Sequence, residues 1–146
     1  MQQIRIYNVN IPLKIPFETS FGIQYSRNAI LIEYIEEDFI AYGESVTEEF
    51  PGYSYEDNGT AIHIIKDYLI DIIKETTDPM EFIEKAKKIR GHNMAKSSVE
   101  TMLWDLKAKR KGLPLKNLIK GERKKIESGI SIGILPMDKL LETIKN

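Results

Sequence analysis

Residues 125–134, KIESGISIGI, constrain the fold of this chain more than any other segment. At a two-residue repeat, Ile126, Ser128, Ile130, Ile132 and Ile134 share one face, and Glu127, Gly129, Ser131 and Gly133 share the other. One face is mostly bulky and apolar; the other is small or polar. Such alternation reads as a β-strand. Pro136-Met137-Asp138 then opens a helix with Leu140, Leu141 and Ile144 on one side. Together they form the start of a βα repeat, whose strand normally pairs with parallel neighbours covered by helices. No parallel partner occurs before Asn146. The strand therefore joins an earlier sheet, pairs between chains, or belongs to a longer protein.

The upstream residues read as an α+β unit. In residues 3–13, Ile4 and Ile6 share a face, and Val9, Ile11 and Leu13 continue in the opposite phase. That slip predicts a bulge or bend near Asn8. Pro12 and Pro16 argue against a long regular continuation, so Pro16–Gln24 (PFETSFGIQ) reads as a loop. Residues 28–36 and 39–47 are β-rich and form a hairpin across Glu37-Asp38, which completes a three-stranded antiparallel meander. An aromatic-rich loop, 48–58, leads into three helices at about 59–75, 78–90 and 95–111. Asp78 caps the second, with Pro79 at its first position and Gly91 as its left-handed terminator. Gly112 ends the third, and Pro114 starts a short helical turn. The expected division is residues 1–122 as one domain and 123–146 as the βα unit.

Several function classes are excluded by composition. Lys and Arg total 21 against 22 Asp and Glu, so no field favours nucleic acid or an anionic membrane. The absence of cysteine removes disulfides and thiolate zinc sites. No run approaches the roughly 18 apolar residues of a membrane span, and the N-terminus lacks a signal-peptide pattern, so a cytoplasmic protein is expected. His63 and His92 lack ligand spacing. Glu100 and Asp105, five apart, do not share a helix face, which favours structural roles. Trp104 reads as packing, and Arg123-Lys124-Lys125 as a solvated loop.

Five motifs in order give a resemblance. Tyr42-Gly43-Glu44 resembles a G-Y-G-E strand end, and Pro16–Gly22 (PFETSFG) a P-F-x-T-S-F-G loop. Pro51–Asn58 (PGYSYEDN) resembles a second loop. Gly91–Lys96 (GHNMAK) with Glu100–Leu106 (ETMLWDL) resembles a G-H-x-M-A-K…E-x-x-x-x-D stretch, and Gly129–Ile134 a first barrel strand, G-V-S-V-G-I. Across essentially the whole chain this is similar to the enolase superfamily, in its o-succinylbenzoate synthase / N-acylamino-acid racemase group. The resemblance implies an N-terminal capping domain followed by the first unit of a TIM-like barrel. It implies a parent enzyme that abstracts a proton α to a carboxylate, with Mg²⁺ and lysines on later barrel strands. The segment itself is then expected to hold no metal and no catalytic residue, and to be inactive alone. Its expected partners are a small carboxylate substrate, the rest of its barrel and further copies of itself.

The resemblance also suggests contact residues. Phe17, Thr19, Ser20, Phe21, Tyr53 and Tyr55 would line the substrate's distal end, Phe21 and Tyr53 foremost. Ser131 could bond the substrate while Gly133 leaves room. The competing reading is that the aromatics pack the loops onto the cap and that the small residues fill a barrel interior. A self-standing binding or assembly module, and a muconate or dipeptide relative, remain alternatives.

Overall fold

A computed structural model describes residues 2–145. Strands β1 (Gln2–Thr19), β2 (Gly22–Glu36) and β3 (Phe39–Ser45) form one sheet in that order. β2 and β3 pair antiparallel from Ile30↔Ser45 to Glu36↔Phe39. The tight turn between them places Glu37 at φ 36. Helix α1 (Asn58–Ile64) passes through a π-helical turn, Ile65–Leu69, into α2 (Ile70–Glu75). Then come α3 (Pro79–Ala86), α4 (Asn93–Arg110), the short α5 (Leu115–Leu118) and α6 (Met137–Lys145). None of the described helices is long and apolar enough to cross a membrane.

The chain resolves into two units: residues up to Val9 with Asn28–Glu122, and Asn10–Arg27 with the residues from Arg123 onward. In the first unit, alternation along β2 turns Ile30, Ile32 and Tyr34 inward, and along β3 Ala41, Gly43 and Ser45. Against them pack Ile65 and Leu69, Phe82 of α3, and Val99, Met102, Leu103 and Leu106 of α4. Each large side chain buried there contributes about 1.5–3 kcal/mol.

The packing is tightest where α4 crosses β3. A Cβ added to Gly43 would lie 2.0 Å from Ser98 O and 3.0 Å from Met102 Cβ. Only glycine permits that approach. Further along α4, side chains close the outer edge of β3. Tyr42 N–H donates to the Asp105 carboxylate at 2.9 Å. Lys109 Nζ donates to Ile40 O at 2.6 Å and to Asp105 at 2.7 Å. Backbone groups that an open edge would offer to another strand are thus occupied. Arg110 pairs with Glu36 and donates to Thr77 Oγ1 at 2.8 Å, and Lys107 pairs with Asp78 at 2.6 Å.

Those last two pairs shift titration. The bond from Arg110 holds the Glu36 carboxyl below its ordinary value, and the bond from Lys107 does the same for Asp78. Asp78 also accepts from Met80 N–H and Glu81 N–H as the cap of α3.

Several sequence expectations need correction. Pro16–Gln24 is not an open loop: β1 runs to Thr19 and turns through Ser20 and Phe21 into β2. β1 is an edge strand, where proline's missing N–H is tolerated. The change of phase near Asn8 is met in part: Ile4 and Ile6 are half-buried, then Val9 and Leu13, whereas Ile11 is exposed. The first helix starts earlier than expected, because Asp57 and Thr60 form a reciprocal cap, and it contains the π turn. α3 stops at Ala86 rather than Arg90, although Gly91 does take a left-handed φ of 66.

The largest departure is in the second unit. Residues 125–134, expected to be a strand, form neither strand nor helix. Alternation supplies a strand's faces but not its partners, and a ladder needs a row of both donors and acceptors. One such bond forms here: Ile134 N–H donates to Glu18 O at 2.9 Å. Ile130 stands 83% exposed.

Replacing Gly43 by alanine should cost at least about 2 kcal/mol in urea unfolding, since α4 must retreat from β3. Gly129→Ala, with nothing within 4 Å, should stay within about 0.5 kcal/mol of wild type. A lowered folded-state carboxyl contributes stability above its ordinary value and loses it as pH falls through the folded-state value. The unfolding midpoint should therefore drop as pH falls below about 4, and Asp78→Asn should flatten that decline.

Candidate functional site: two aromatic tips

Each unit presents one tip. In the second unit, the turn between β1 and β2 is closed by Thr19. Its Oγ1 accepts from Phe21 N–H at 3.2 Å and donates to Gly22 O at 3.3 Å. Gly22 has φ 135, which a side chain would rarely adopt. The turn is thus fixed by the backbone and one hydroxyl, and Phe21 is left 90% exposed at its end, beside exposed Ser20. Phe17 is half-buried on the same hairpin.

Gly133 lies against that hairpin. A Cβ there would come within 3.0 Å of Glu18 O and 3.2 Å of Phe17 Cδ2. Its small size is accounted for by this close backbone passage, which also allows the Ile134 bond. Ser131 is exposed two residues earlier.

In the first unit, the tip is the loop between β3 and α1. Thr47 Oγ1 donates to buried Asn58 at 2.7 Å, and Asn58 N–H donates to Glu48 O at 2.8 Å. These bonds join the two ends of the loop. Farther along, Tyr55 Oη accepts from His92 N–H at 2.9 Å. The Glu56 carboxylate, 2% exposed, accepts from Met94 N–H at 3.0 Å and Ala95 N–H at 3.1 Å. Between these anchors Phe50 and Tyr53 stand 76% and 88% exposed.

The six aromatic and hydroxyl residues singled out by sequence therefore divide. Phe21 and Tyr53 project without a packing role. Tyr55 fastens its loop through its hydroxyl, and the hydroxyl of Thr19 closes a turn. Phe17, Thr19, Ser20 and Phe21 lie on one hairpin in the unit that also holds Ser131; Tyr53 belongs to the other unit. Glu56 escaped notice in the sequence. Its signal was slight: Glu56-Asp57 are adjacent acids ahead of a helix that needs only Asp57 as its cap.

The remaining candidates make contacts within the chain. His63 Nδ1 meets Asp67 at 2.6 Å on the surface, and Tyr68 stacks edge-on against its ring. His92 has φ 51 and meets the Tyr55 ring edge-on. Glu100 accepts from the Trp104 indole at 3.2 Å. Three Lys-x-Lys triplets, 85–87, 107–109 and 109–111, lie on or at the end of helices. Lys85, Lys87, Lys107 and Lys109 are engaged by Glu75, Glu84, Asp78 and Asp105. Among the described residues no three His, Asp or Glu converge.

Residues 1–120 match the family model of the mandelate racemase / muconate lactonizing enzyme N-terminal domain. An o-succinylbenzoate synthase from Geobacillus kaustophilus is 38% identical over 99% of the chain and 40% of its own length. An N-succinylamino acid racemase from Thermus thermophilus is 34% identical over 88% of the chain and 35% of its own length. A crystal structure of an enolase-superfamily member from Listeria innocua superposes at TM-score 0.88 with 34% identity, covering 99% of this chain and 40% of that one. The chain thus spans about 40% of the length of its relatives.

Truncating Phe21 or Tyr53 to alanine should change the unfolding free energy by less than about 0.5 kcal/mol, because neither side chain packs. Tyr55→Phe should cost about 1 kcal/mol by orphaning His92 N–H. Urea titration of the three variants checks both.

Proposed function

The chain belongs to the mandelate racemase / muconate lactonizing enzyme family, and from that membership we propose that it caps the barrel of an enzyme that removes a proton α to a carboxylate. The reading favoured is o-succinylbenzoate synthase, with N-acylamino-acid racemase activity as the companion possibility. The observation that carries it is the pair of bare aromatics, Phe21 and Tyr53, each on a turn or loop anchored at its base, in a chain aligned along nearly all its length with an o-succinylbenzoate synthase.

A carbon acid beside a carboxylate is weak, so the parent enzyme must stabilise an enediolate and keep water away from it. Magnesium, when bound by the barrel, supplies the electrostatic stabilisation. The cap's share is to contact the far end of the substrate and exclude water. Phe21 and Tyr53, each in its own unit, are side chains of a kind suited to contact with apolar or aromatic groups. Ser20 and Ser131, both exposed, offer hydroxyls for its polar groups. Residues 1–122 serve as cap and 123–146 as the first βα unit, whose strand forms when parallel partners are supplied. By itself the chain should turn over neither substrate, because the base lysines and metal ligands of the family lie on later barrel strands.

A second reading has support of its own. Ile126, Ile130, Met137 and Ile144 are all exposed, which also suits a module that assembles with further copies. A monomer in sedimentation at micromolar concentration would count against that reading.

The full-length protein, assayed with magnesium, should form o-succinylbenzoate or racemise N-succinyl amino acids. Phe21→Ala and Tyr53→Ala should each raise KM about tenfold, the loss of about 1.4 kcal/mol of contact. Absence of both activities in the wild type would refute the assignment.

A further inference from the structure

α4 begins without a cap of its own. His92, in the left-handed region, makes no side-chain bond to the helix. The first turn of any helix leaves amides unpaired, and here a different segment supplies the acceptors. Glu56 takes Met94 N–H on Oε1 and Ala95 N–H on Oε2. Its negative charge also suits the positive end of an 18-residue helix. One residue earlier, Tyr55 Oη takes His92 N–H and occupies the space that a Cβ on Gly91 would enter at 2.6 Å. Two adjacent residues thus grip three amides within a four-residue stretch. Tyr53 lies only two residues ahead of this grip.

We propose that Glu56 and Tyr55 are positioning residues that fasten the Tyr53 loop to the start of α4 and thereby set substrate affinity rather than the rate of the chemical step. The proposal rests on the reading of Tyr53 as a substrate contact. Its physical basis is preorganisation. A loop released from both anchors must be ordered when substrate binds, and that cost weakens binding.

Chymotrypsin cleavage of the chain tests the fastening. Glu56→Ala should speed cleavage after Tyr53 by about tenfold, and Tyr55→Phe by about threefold, through more frequent local opening. Glu56→Gln, which keeps one acceptor, should stay within about threefold of wild type. Cleavage after Tyr34 and Phe82, buried in the core, reports global opening and should not change. Unaltered cleavage at Tyr53 in Glu56→Ala would overturn the proposal, as would an equal rise at Tyr34 and Phe82. In the full-length enzyme, Glu56→Ala should raise KM about tenfold with kcat within about twofold, and Glu56→Gln should restore most of the affinity. A fall in kcat at unchanged KM would overturn the affinity role. Wild-type protein without turnover would instead refute the functional reading, and cleavage alone would then decide the fastening.

Discussion

The close approach of α4 to β3 at Gly43 governs the first unit. With Ser98 O where a side chain would stand, helix and strand meet at backbone distance. That contact brings Asp105 and Lys109 to the strand's outer edge and Arg110 and Lys107 to Glu36 and Asp78. A sheet of only three strands has two edges, and here one helix closes part of one of them. The same helix offers its first amides to Glu56 at its other end. One element therefore both completes the sheet and holds the aromatic loop.

This division suits a family whose members are named for different reactions. The frame is specified by packing and by bonds that tolerate little change: Gly43, Asp105 and the Ala95–Leu106 face. The tips carry side chains that the frame does not need. Phe21 and Tyr53 can vary at little cost in stability.

Much of this was legible in the sequence because it is local. The Asp78-Pro79 start of α3, the left-handed Gly91 and the phase change near Asn8 follow from rules acting within a few residues. The motif residues Tyr42 and Asp105 were recognisable, but their hydrogen bond was not, since they lie 63 positions apart. β1 outlasted its prolines because it is an edge strand, a property of topology and not of composition. The π turn in the first helix left no local mark. Glu56 is a cap supplied across 38 residues, which no local rule reveals. Residues 125–134 show the reverse failure: a clear strand pattern without the partners that would make it a strand.

Amide hydrogen exchange at Tyr42 tests most directly whether α4 closes the sheet. In the wild type this amide should be protected about as strongly as those of the β2–β3 ladder, and Asp105→Ala should release it to near-open exchange while the ladder stays protected. A Tyr42 amide that exchanges freely in the wild type would contradict the account.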